Sequence, residues 1–381
     1  STVIIFTDSN YTYNFDVDWD NDGVFDGLGV TNTIVKQYSD TGTYTIRIRG
    51  QFPHFRSFIT PYTPTNLYNW YDNGKLLSVD QWGGIAWQSL KYSFWGCVLM
   101  NIKATDTPDL SLGPNCDYSF AHTWNALPGL TNINVSQVTS MEGMFMGARI
   151  PPSLTHVDLN NWDVSNVTNM RRMFFYSRDS IVVENWNVSR VNDMSDMFKE
   201  AIDFDSDIRN WDVSSVKDMR RMFFYAQSFN ADISNWTVDS VTNMSDMFNG
   251  CYNFNQNIGK WNISSVTDMS GMFDIRNPNG LNLGGAVPMQ VSTFDSILIG
   301  WQAQTHQLNV TLGAFDLKYC NGAAARTSLI ADGWLISGDT LDCSIVGIEK
   351  NNVQETKSLF RAFPNPNHGL LEIEIMGSID I

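Results

Sequence analysis

The sequence predicts an α/β repeat solenoid of parallel strands and short helices, preceded by a small N-terminal β-sandwich and followed by a helical C-terminal cap. Three observations predict it. A motif recurs about every 25 residues, each copy changes from a strand-like to a helix-like hydrophobic period, and the segments on either side lack the motif. One unit of this length cannot bury both of its faces alone, so neighbouring units are expected to stack.

The chain of 381 residues is too long for one ordinary core and divides by pattern into five segments. We expect a β-sandwich at 1–55, a linker or N-cap at 56–76, eight repeats at 77–274, a C-terminal cap at 275–345, and a further linker with the start of another domain at 346–381.

Composition limits the function classes. The chain has 43% hydrophobic residues, enough for a substantial core, and a net charge of −16. An acidic surface repels phosphate backbones, which argues against nucleic acid as the main partner. The sequence contains no run of 18 apolar residues, so it predicts no transmembrane helix. The start at Ser1, without Met or a basic stretch, fits a mature secreted chain or a trimmed one.

The first segment contains an acidic loop, Asp18, Asp20, Asp22, Gly23 and Asp26, ahead of an alternating strand. Carboxylates at alternate positions around a glycine turn suit a hard cation with oxygen ligands, so calcium is the one cofactor that the sequence suggests. The twelfth position of the loop is glycine rather than glutamate, so the loop is not a full EF-hand. The alternative is a solvated acidic turn between strands.

Each repeat combines two hydrophobic periods. Trp236 and Val238 alternate as in a short strand with one buried face, whereas Met244, Met247 and Phe248 follow the i, i+3, i+4 spacing of one helical face. We interpret the methionines as core residues rather than soft-metal ligands, because Met readily fills gaps in a core. The motif phenylalanines, the first two in degenerate copies, are Phe94, Phe120, Phe145, Phe174, Phe198, Phe223, Phe248 and Phe273.

A residue able to cap a helix precedes the first Met of every tight copy. Side-chain oxygens of Ser, Asn and Asp accept hydrogen bonds from the free amides of a first helical turn, so this placement predicts a helix start in each unit. The residues are Ser140, Asn169, Asp193, Asp218, Asn243 and Asp268.

Two sets of surface residues are candidate binding sites. The basic pairs Arg171-Arg172 and Arg220-Arg221 lie between the two Met of their units and form a ridge that could hold a carboxylate or sulfate, or else a solvated surface. A second set lies between the buried strand residues and is expected to form a polar ligand-binding strand face, with plain surface as the alternative. Its members are Asn134, Asp163, Asn187, Asp212, Thr237 and Asn262.

The unit N-W-[DN]-V-S-x-V-T-x-M-x-x-M-F resembles that of the BspA-like leucine-rich repeat proteins, and the match is tight over residues 131–274. This resemblance implies a solenoid on the cell surface with roles in adhesion and protein binding, and no catalysis. The segment 274–345 resembles the C-terminal cap of that family. Cys320 and Cys343 flank its second expected helix and could form a disulfide.

Two further resemblances concern the ends of the chain. The run Gly42-Thr-Tyr-Thr-Ile is similar to the last strand of PKD-like β-sandwich domains. The tail Phe363-Pro-Asn-Pro-Asn-His-Gly, followed by an alternating strand, resembles the start of a type IX secretion sorting domain. That resemblance implies contact with the type IX secretion machinery and an extracellular location at the outer-membrane surface of a Bacteroidota-type bacterium.

These observations predict a non-catalytic surface protein, an adhesin or interaction module, that binds protein or glycan through the strand face. The alternative is an accessory subunit of a transporter or secretion complex built around an outer-membrane β-barrel. A polysaccharide-active enzyme is the weakest hypothesis, because no acid/base pair is singled out by the sequence.

Overall fold

The structure is a computed structural model, and it divides into two compact units, Ser1–Leu341 and Asp342–Ile381. Most of the predicted linker at 56–76 and the Asn-Pro-Asn turn of the predicted sorting segment lie outside the described residues. The described residues are 2–56, 73–124, 127–149, 156–177, 180–275, 289–344, 361–364 and 371–374.

The N-terminal segment contains five short strands in two small antiparallel sheets, in place of the predicted β-sandwich. Strand β1 pairs with β4, and β2 lies between β3 and β5. Phe15 and Val17 alternate on β2 and are fully buried, and Phe15 packs edge-on against Phe52. The strands are β1 Thr2–Ile5, β2 Asn14–Asp18, β3 Gly27–Val30, β4 Ile34–Gln37 and β5 Arg47–Gln51.

The predicted solenoid of parallel strands and short helices is wrong. Between residues 90 and 275 the described chain contains no α-helix, and each Met-x-x-Met-Phe segment forms consecutive turns. Most parallel pairing between the tight repeats consists of isolated single-residue bridges such as Asp193↔Asp218. Longer parallel pairs occur only at β6 (Ser78–Val79) with β7 (Asn101–Ile102), and at β8 (His156–Asp158) with β9 (Ser180–Val182), among the described repeat residues.

The hydrogen-bond pattern explains why no helix forms. In a helix each amide bonds to the carbonyl four residues earlier in the same segment. Here the amide of the first Met of a unit, and the amides two, four and six residues later, donate to carbonyls of the following unit, as Met194 does to Asp218 (3.1 Å). The intervening amides close turns, as Met222 does on Met219 (3.1 Å). We call this hydrogen-bonded segment the turn ribbon.

Five of the six residues predicted to cap helices accept the expected local hydrogen bond without a helix after them, and the sixth, Ser140, instead donates its hydroxyl to Asp117. Asn169, for example, accepts a hydrogen bond at Oδ1 from the amide of Arg171 (2.9 Å), and Asp218 accepts one from Arg220 (2.9 Å). The ribbon then departs from helical geometry because its third and seventh residues have positive φ, including Arg172 (57°) and Tyr176 (60°). Two left-handed residues per turn segment exclude an α-helix.

Neighbouring units share one continuous core, as the repeat pattern requires. Met219, Phe223 and Trp211 are at most 3% exposed and belong to the same buried cluster as the corresponding residues of the next unit. Eight motif phenylalanines, from Phe94 to Phe273, stack with ring centroids 5.2–6.0 Å apart.

The tryptophans form a second stack and also make hydrogen bonds between units. The Trp186 and Trp211 rings lie 6.3 Å apart and nearly parallel. The Trp211 indole Nε1–H donates to the Val183 carbonyl of the preceding unit (3.1 Å), and the other motif tryptophans repeat this bond. Each ring is therefore buried with its one polar atom satisfied.

The predicted helical C-terminal cap is instead a mixed α/β segment. Helix α1 (Val291–Gln302) buries Phe294 and Trp301, and helix α2 (Ala323–Ala331) packs beside it. Strands lie between and after the helices, in the parallel pairs β10–β12 and β11–β13. The strands are β10 Thr311–Gly313, β11 Lys318–Tyr319, β12 Leu335–Ser337 and β13 Thr340–Leu341.

The second compact unit contains one described antiparallel pair, β14 (Arg361–Pro364) with β15 (Leu371–Glu374). Cys320 and Cys343 are each disulfide-bonded, while Cys97, Cys116 and Cys251 are buried thiols outside any disulfide. Among the described residues, neither helix combines the length and apolar character needed to cross a membrane.

Candidate functional site

The turn ribbon presents four rows of side chains that alternate with its core rows. The first Met, the second Met and the Phe belong to the hydrophobic core, and the residues one, two, five and six positions after the first Met do not, although Ser195 and Asp196 among them are buried. We call these four rows the outer ribbon face. In the three central units they are Arg171, Arg172, Phe175 and Tyr176, then Ser195, Asp196, Lys199 and Glu200, then Arg220, Arg221, Phe224 and Tyr225.

Asp196 is the centre of this face, and two of the predicted ridge arginines pair with it. Its side chain is 1% exposed between Arg172 of the preceding unit, whose Nε lies 3.5 Å from Oδ2, and Arg221 of the following unit. The Arg221 Nη2–H donates to Oδ2 at 3.2 Å, and its Nε lies 2.9 Å from Oδ1. Arg172 and Arg221 are thus fixed by a buried carboxylate rather than free to bind an anion.

The other two ridge arginines have weaker partners. Arg171 has its nearest carboxylate at Glu142, 3.7 Å away, and Arg220 forms no ion pair with any residue in the described part of the chain. The Nε atoms of both are buried and find no hydrogen-bond acceptor among the described residues. The predicted ridge therefore divides into an inner pair held by Asp196 and an outer pair that remains able to contact a ligand.

Aromatic rings lie beside these arginines. The Lys199 ammonium lies 5.1 Å from the ring centroids of both Phe175 and Phe224, so one cation is held between aromatic residues of the two flanking units. Lys199 also lies 3.8 Å from the carboxylate of Glu200. Phe175 and Phe224 are partly exposed, as are the tyrosines that follow them.

The tyrosines at left-handed positions lie over the next unit. The Tyr225 ring is about 3.0 Å from where a side chain on Gly250 would begin, so that glycine makes room for the ring.

One end of the face is polar: Tyr118 Oη donates to Glu142 Oε1 (2.7 Å). Burial, together with the Glu142 carboxylate, raises the pKa of Tyr118, so the phenol stays protonated and acts as a donor.

The predicted polar strand face lies on turns rather than on a strand. All six residues are exposed. Five of them accept a hydrogen bond from the amide two residues later, as Asp163 does from Ser165 (3.1 Å), which fixes each side chain in a local turn. A role for these residues in binding stays a prediction. The five are Asn134, Asp163, Asn187, Asp212 and Asn262, and Thr237 is the sixth.

The acidic loop gathers three of its four predicted carboxylates. Oxygens of Asp18, Asp20 and Asp22 lie within 4.8 Å of one another. Asp18 is buried; burial alone would raise its pKa, but amides including those of Gly23 and Asn21 donate to it and lower the pKa below its usual range. Asp26 accepts a hydrogen bond from the Trp19 amide (3.3 Å) instead. The calcium site stays a prediction.

Sequence patterns alone did not identify Asp196, Lys199 or the aromatic pairs. A signal for them is present: the units at 170–176 and 219–225 both read Met-Arg-Arg-Met-Phe-Phe-Tyr, and the unit between reads Met-Ser-Asp-Met-Phe-Lys-Glu. This alternation places acidic residues beside basic ones and lysine between aromatic rings in adjacent units.

A protein-family model described as "Mycoplasma protein of unknown function, DUF285" matches residues 88–180 and 175–282. These stretches cover just over half of the chain and coincide with the stacked repeats. The match extends to neither the segment that resembles PKD-like domains nor the tail that resembles a sorting domain. No curated protein and no solved structure matches the chain.

Proposed function

The chain belongs to the DUF285 family, whose domain is found in BspA-like surface repeat proteins, and on this premise we propose that it is a non-catalytic binding protein of the cell surface. One observation supports this most strongly. The inward rows of the turn ribbon are nearly constant from unit to unit, whereas the outer ribbon face varies in charge and aromatic character.

A stacked array with these properties is suited to recognition. The core rows fix the backbone of each unit, and inter-unit hydrogen bonds keep the units in register, so surface residues can differ without altering the array. Arginine and aromatic side chains dominate the central units of the outer ribbon face, and these residue types supply much of the binding energy in protein recognition. The tail motif supports export to the cell surface by the type IX route.

The proposal is tested by immobilising the full chain and measuring binding, by interferometry, to panels of polysaccharides and cell-surface proteins. We expect saturable binding to a ligand that is recovered chemically unchanged. Turnover of the ligand, lost on changing a single carboxylate, would contradict the proposal. Recovery of the protein from membranes only as a stoichiometric complex with transporter or secretion components would favour the accessory-subunit role instead.

Two sets of variants locate the binding face. The double change Tyr176→Ala and Tyr225→Ala removes two rings from the outer ribbon face. The double change Asp163→Asn and Asp212→Asn alters the predicted polar face and keeps its turns, because Asn also accepts the amide hydrogen bond. We expect the tyrosine variant to weaken binding, whereas weaker binding in the aspartate variant alone would place the ligand on the predicted polar face instead.

A further inference from the structure

The outer ribbon face is locally basic on an acidic protein. The whole chain has a net charge of −16, but the four rows of the three central units contain five basic residues against two acidic ones. One acid, Asp196, is buried beneath arginines. An isolated positive area on a negative molecule attracts an anionic ligand to that area and keeps such a ligand away from the remaining surface.

Two cations of this area are available to a ligand. Arg172 and Arg221 are held by Asp196. Arg171 is 32% exposed and forms a slightly longer ion pair with Glu142 (3.7 Å), and Arg220 has no ion pair within the part of the chain that the structure describes. Their Nε–H groups are buried without acceptors among the described residues, as is that of Arg221, so a ligand would pair with the terminal Nη groups of Arg171 and Arg220. A carboxylate or sulfate oxygen is the group that satisfies a guanidinium best.

The spacing of the two arginines defines the ligand further. Arg171 lies two residues after Asn169, and Arg220 lies two residues after Asp218. Asn169 and Asp218 each form a parallel bridge with Asp193, so one unit separates the two arginines. Two parallel steps place the arginines roughly 10 Å apart. Phe175 and Phe224 have the same two-unit separation, as do Tyr176 and Tyr225. The face therefore presents one arginine with a Phe-Tyr pair, and the same set recurs two units further along the array.

We propose that the outer ribbon face binds an acidic polysaccharide, whose carboxylate or sulfate groups pair with Arg171 and Arg220 while its sugar rings lie against the aromatic side chains of the same two units. The inference rests on the proposed function and specifies its ligand class. A linear polymer with regularly spaced acidic groups matches a face whose cations and rings recur in register. Nucleic acid is the competing polyanion, and the acidic remainder of the protein repels both, so single-stranded DNA is included in the test.

The test uses the full chain and isothermal titration with a polyuronate, a sulfated polysaccharide, neutral dextran, polyglutamate and single-stranded DNA. We expect binding of the polyuronate or the sulfated polymer, weakened by added salt, and none of dextran. The double change Arg171→Gln and Arg220→Gln should weaken this binding at least about tenfold. The control, Arg190→Gln with Arg209→Gln, removes the same charge from exposed positions and should leave the affinity within about twofold.

Melting curves of both variants establish that they fold. Equal binding of polyglutamate, or tighter binding of DNA, would overturn the polysaccharide assignment, as would an unchanged affinity in the Arg171 and Arg220 variant. Binding of a neutral glycan or a protein without any polyanion binding would overturn this inference and leave the proposed function standing. Absence of all binding together with turnover of a glycan would overturn both.

Discussion

Asp196 shows how a single buried carboxylate organises three units. Replacing it by Asn keeps the shape and removes the charge that Arg172 and Arg221 share. We expect Asp196→Asn to lower the free energy of unfolding by about 1–3 kcal/mol, because two half-buried guanidinium groups lose their counter-charge. Urea unfolding measures the change.

The control for this variant is Asp207→Asn. Asp207 pairs with Arg209 at 2.8 Å, but both side chains are largely exposed, so the change should cost less than about 1 kcal/mol. Equal effects of the two substitutions would show that burial of the Asp196 carboxylate contributes nothing.

His54 caps the N-terminal end of the turn ribbon. Its Nε2 lies 3.0 Å from the carbonyl of Lys91. In every later unit, the carbonyl at the corresponding position accepts a hydrogen bond from an amide of the preceding unit. Burial lowers the pKa of His54, and Arg56 acts in the same direction, while the Lys91 carbonyl and Asp8 oppose the shift. The folded protein therefore favours neutral His54, with Nε2 as the donor.

A pH dependence of stability follows. Because the pKa of His54 is lower in the folded state, its contribution to stability is complete above the unfolded pKa of about 6.5 and is lost as pH falls through the folded value. We expect melting temperature to fall between about pH 7 and pH 5. His54→Gln, which can donate without titrating, should flatten this slope. Burial also lowers the pKa of His122, so the double variant with His122→Gln should be flatter still; an unaltered slope would contradict the assignment.

At the scale of the element, the turn ribbon marks the limit of what sequence pattern predicts. Residues such as Met219, Met222 and Phe223 are buried as their i, i+3, i+4 spacing indicates. That spacing is shared by a helical face and by consecutive turns, and local periodicity cannot say whether amides will bond within a unit or to the next. Competition from carbonyls of the following unit decides the conformation, and it depends on contacts about 25 residues away.

The candidate site was predictable only in part, because it also depends on contacts between units. The arginine pairs are evident in the sequence because they repeat, but the separation into an inner and an outer pair depends on Asp196, which lies one unit away from both. The polar row was correctly expected to be exposed. The Asx-x-Ser pattern of this row is typical of turns in which the Ser amide donates to the Asx side chain. Those hydrogen bonds were not predicted, because the row had been assigned to strands.

Glycine is required at one left-handed position of the ribbon. Gly143 has φ of 57°, and a side chain there would collide with the Tyr118 ring. We expect Gly143→Ala to cost about 2–4 kcal/mol in denaturant unfolding, from backbone strain and overpacking. Gly84→Ala is the control, since its added methyl group meets no atom within 4 Å, and it should change stability by less than about 0.5 kcal/mol. Similar costs at the two sites would contradict the steric argument.

The acidic loop gives a ligand-dependent prediction. If Asp20 and Asp22 complete a calcium site with Asp18, millimolar Ca²⁺ should raise the melting temperature and a chelator should reverse the change. Asp20→Asn should reduce the shift, whereas Asp40→Asn, an exposed acid elsewhere in the same segment, should leave it intact. A shift that persists in Asp20→Asn would show that calcium acts elsewhere.

At the scale of the whole molecule, each unit contacts its neighbours, so the array should tolerate removal of a complete two-unit period. Deleting residues 194–243 joins Asp193 to Met244 and brings Asp246 to the place of Asp196 beside Arg172. We expect this shortened chain to fold cooperatively with a lower melting temperature. Deleting 194–206 removes about half of one unit and should prevent folding; circular dichroism and calorimetry distinguish the two. Equal behaviour of both deletions would contradict in-register stacking.

The forward direction of the inter-unit hydrogen bonds has a consequence for biosynthesis. The amides of Met269, Phe273 and Ile275 in the last unit are satisfied by carbonyls of Thr311, Gly313 and Phe315. During translation, every unit therefore emerges before the residues that accept its amides, and the growing array always has an unsaturated leading edge. Such an edge invites pairing with another nascent chain. A chain arrested before residue 311 should accordingly self-associate, and one released after residue 341 should not.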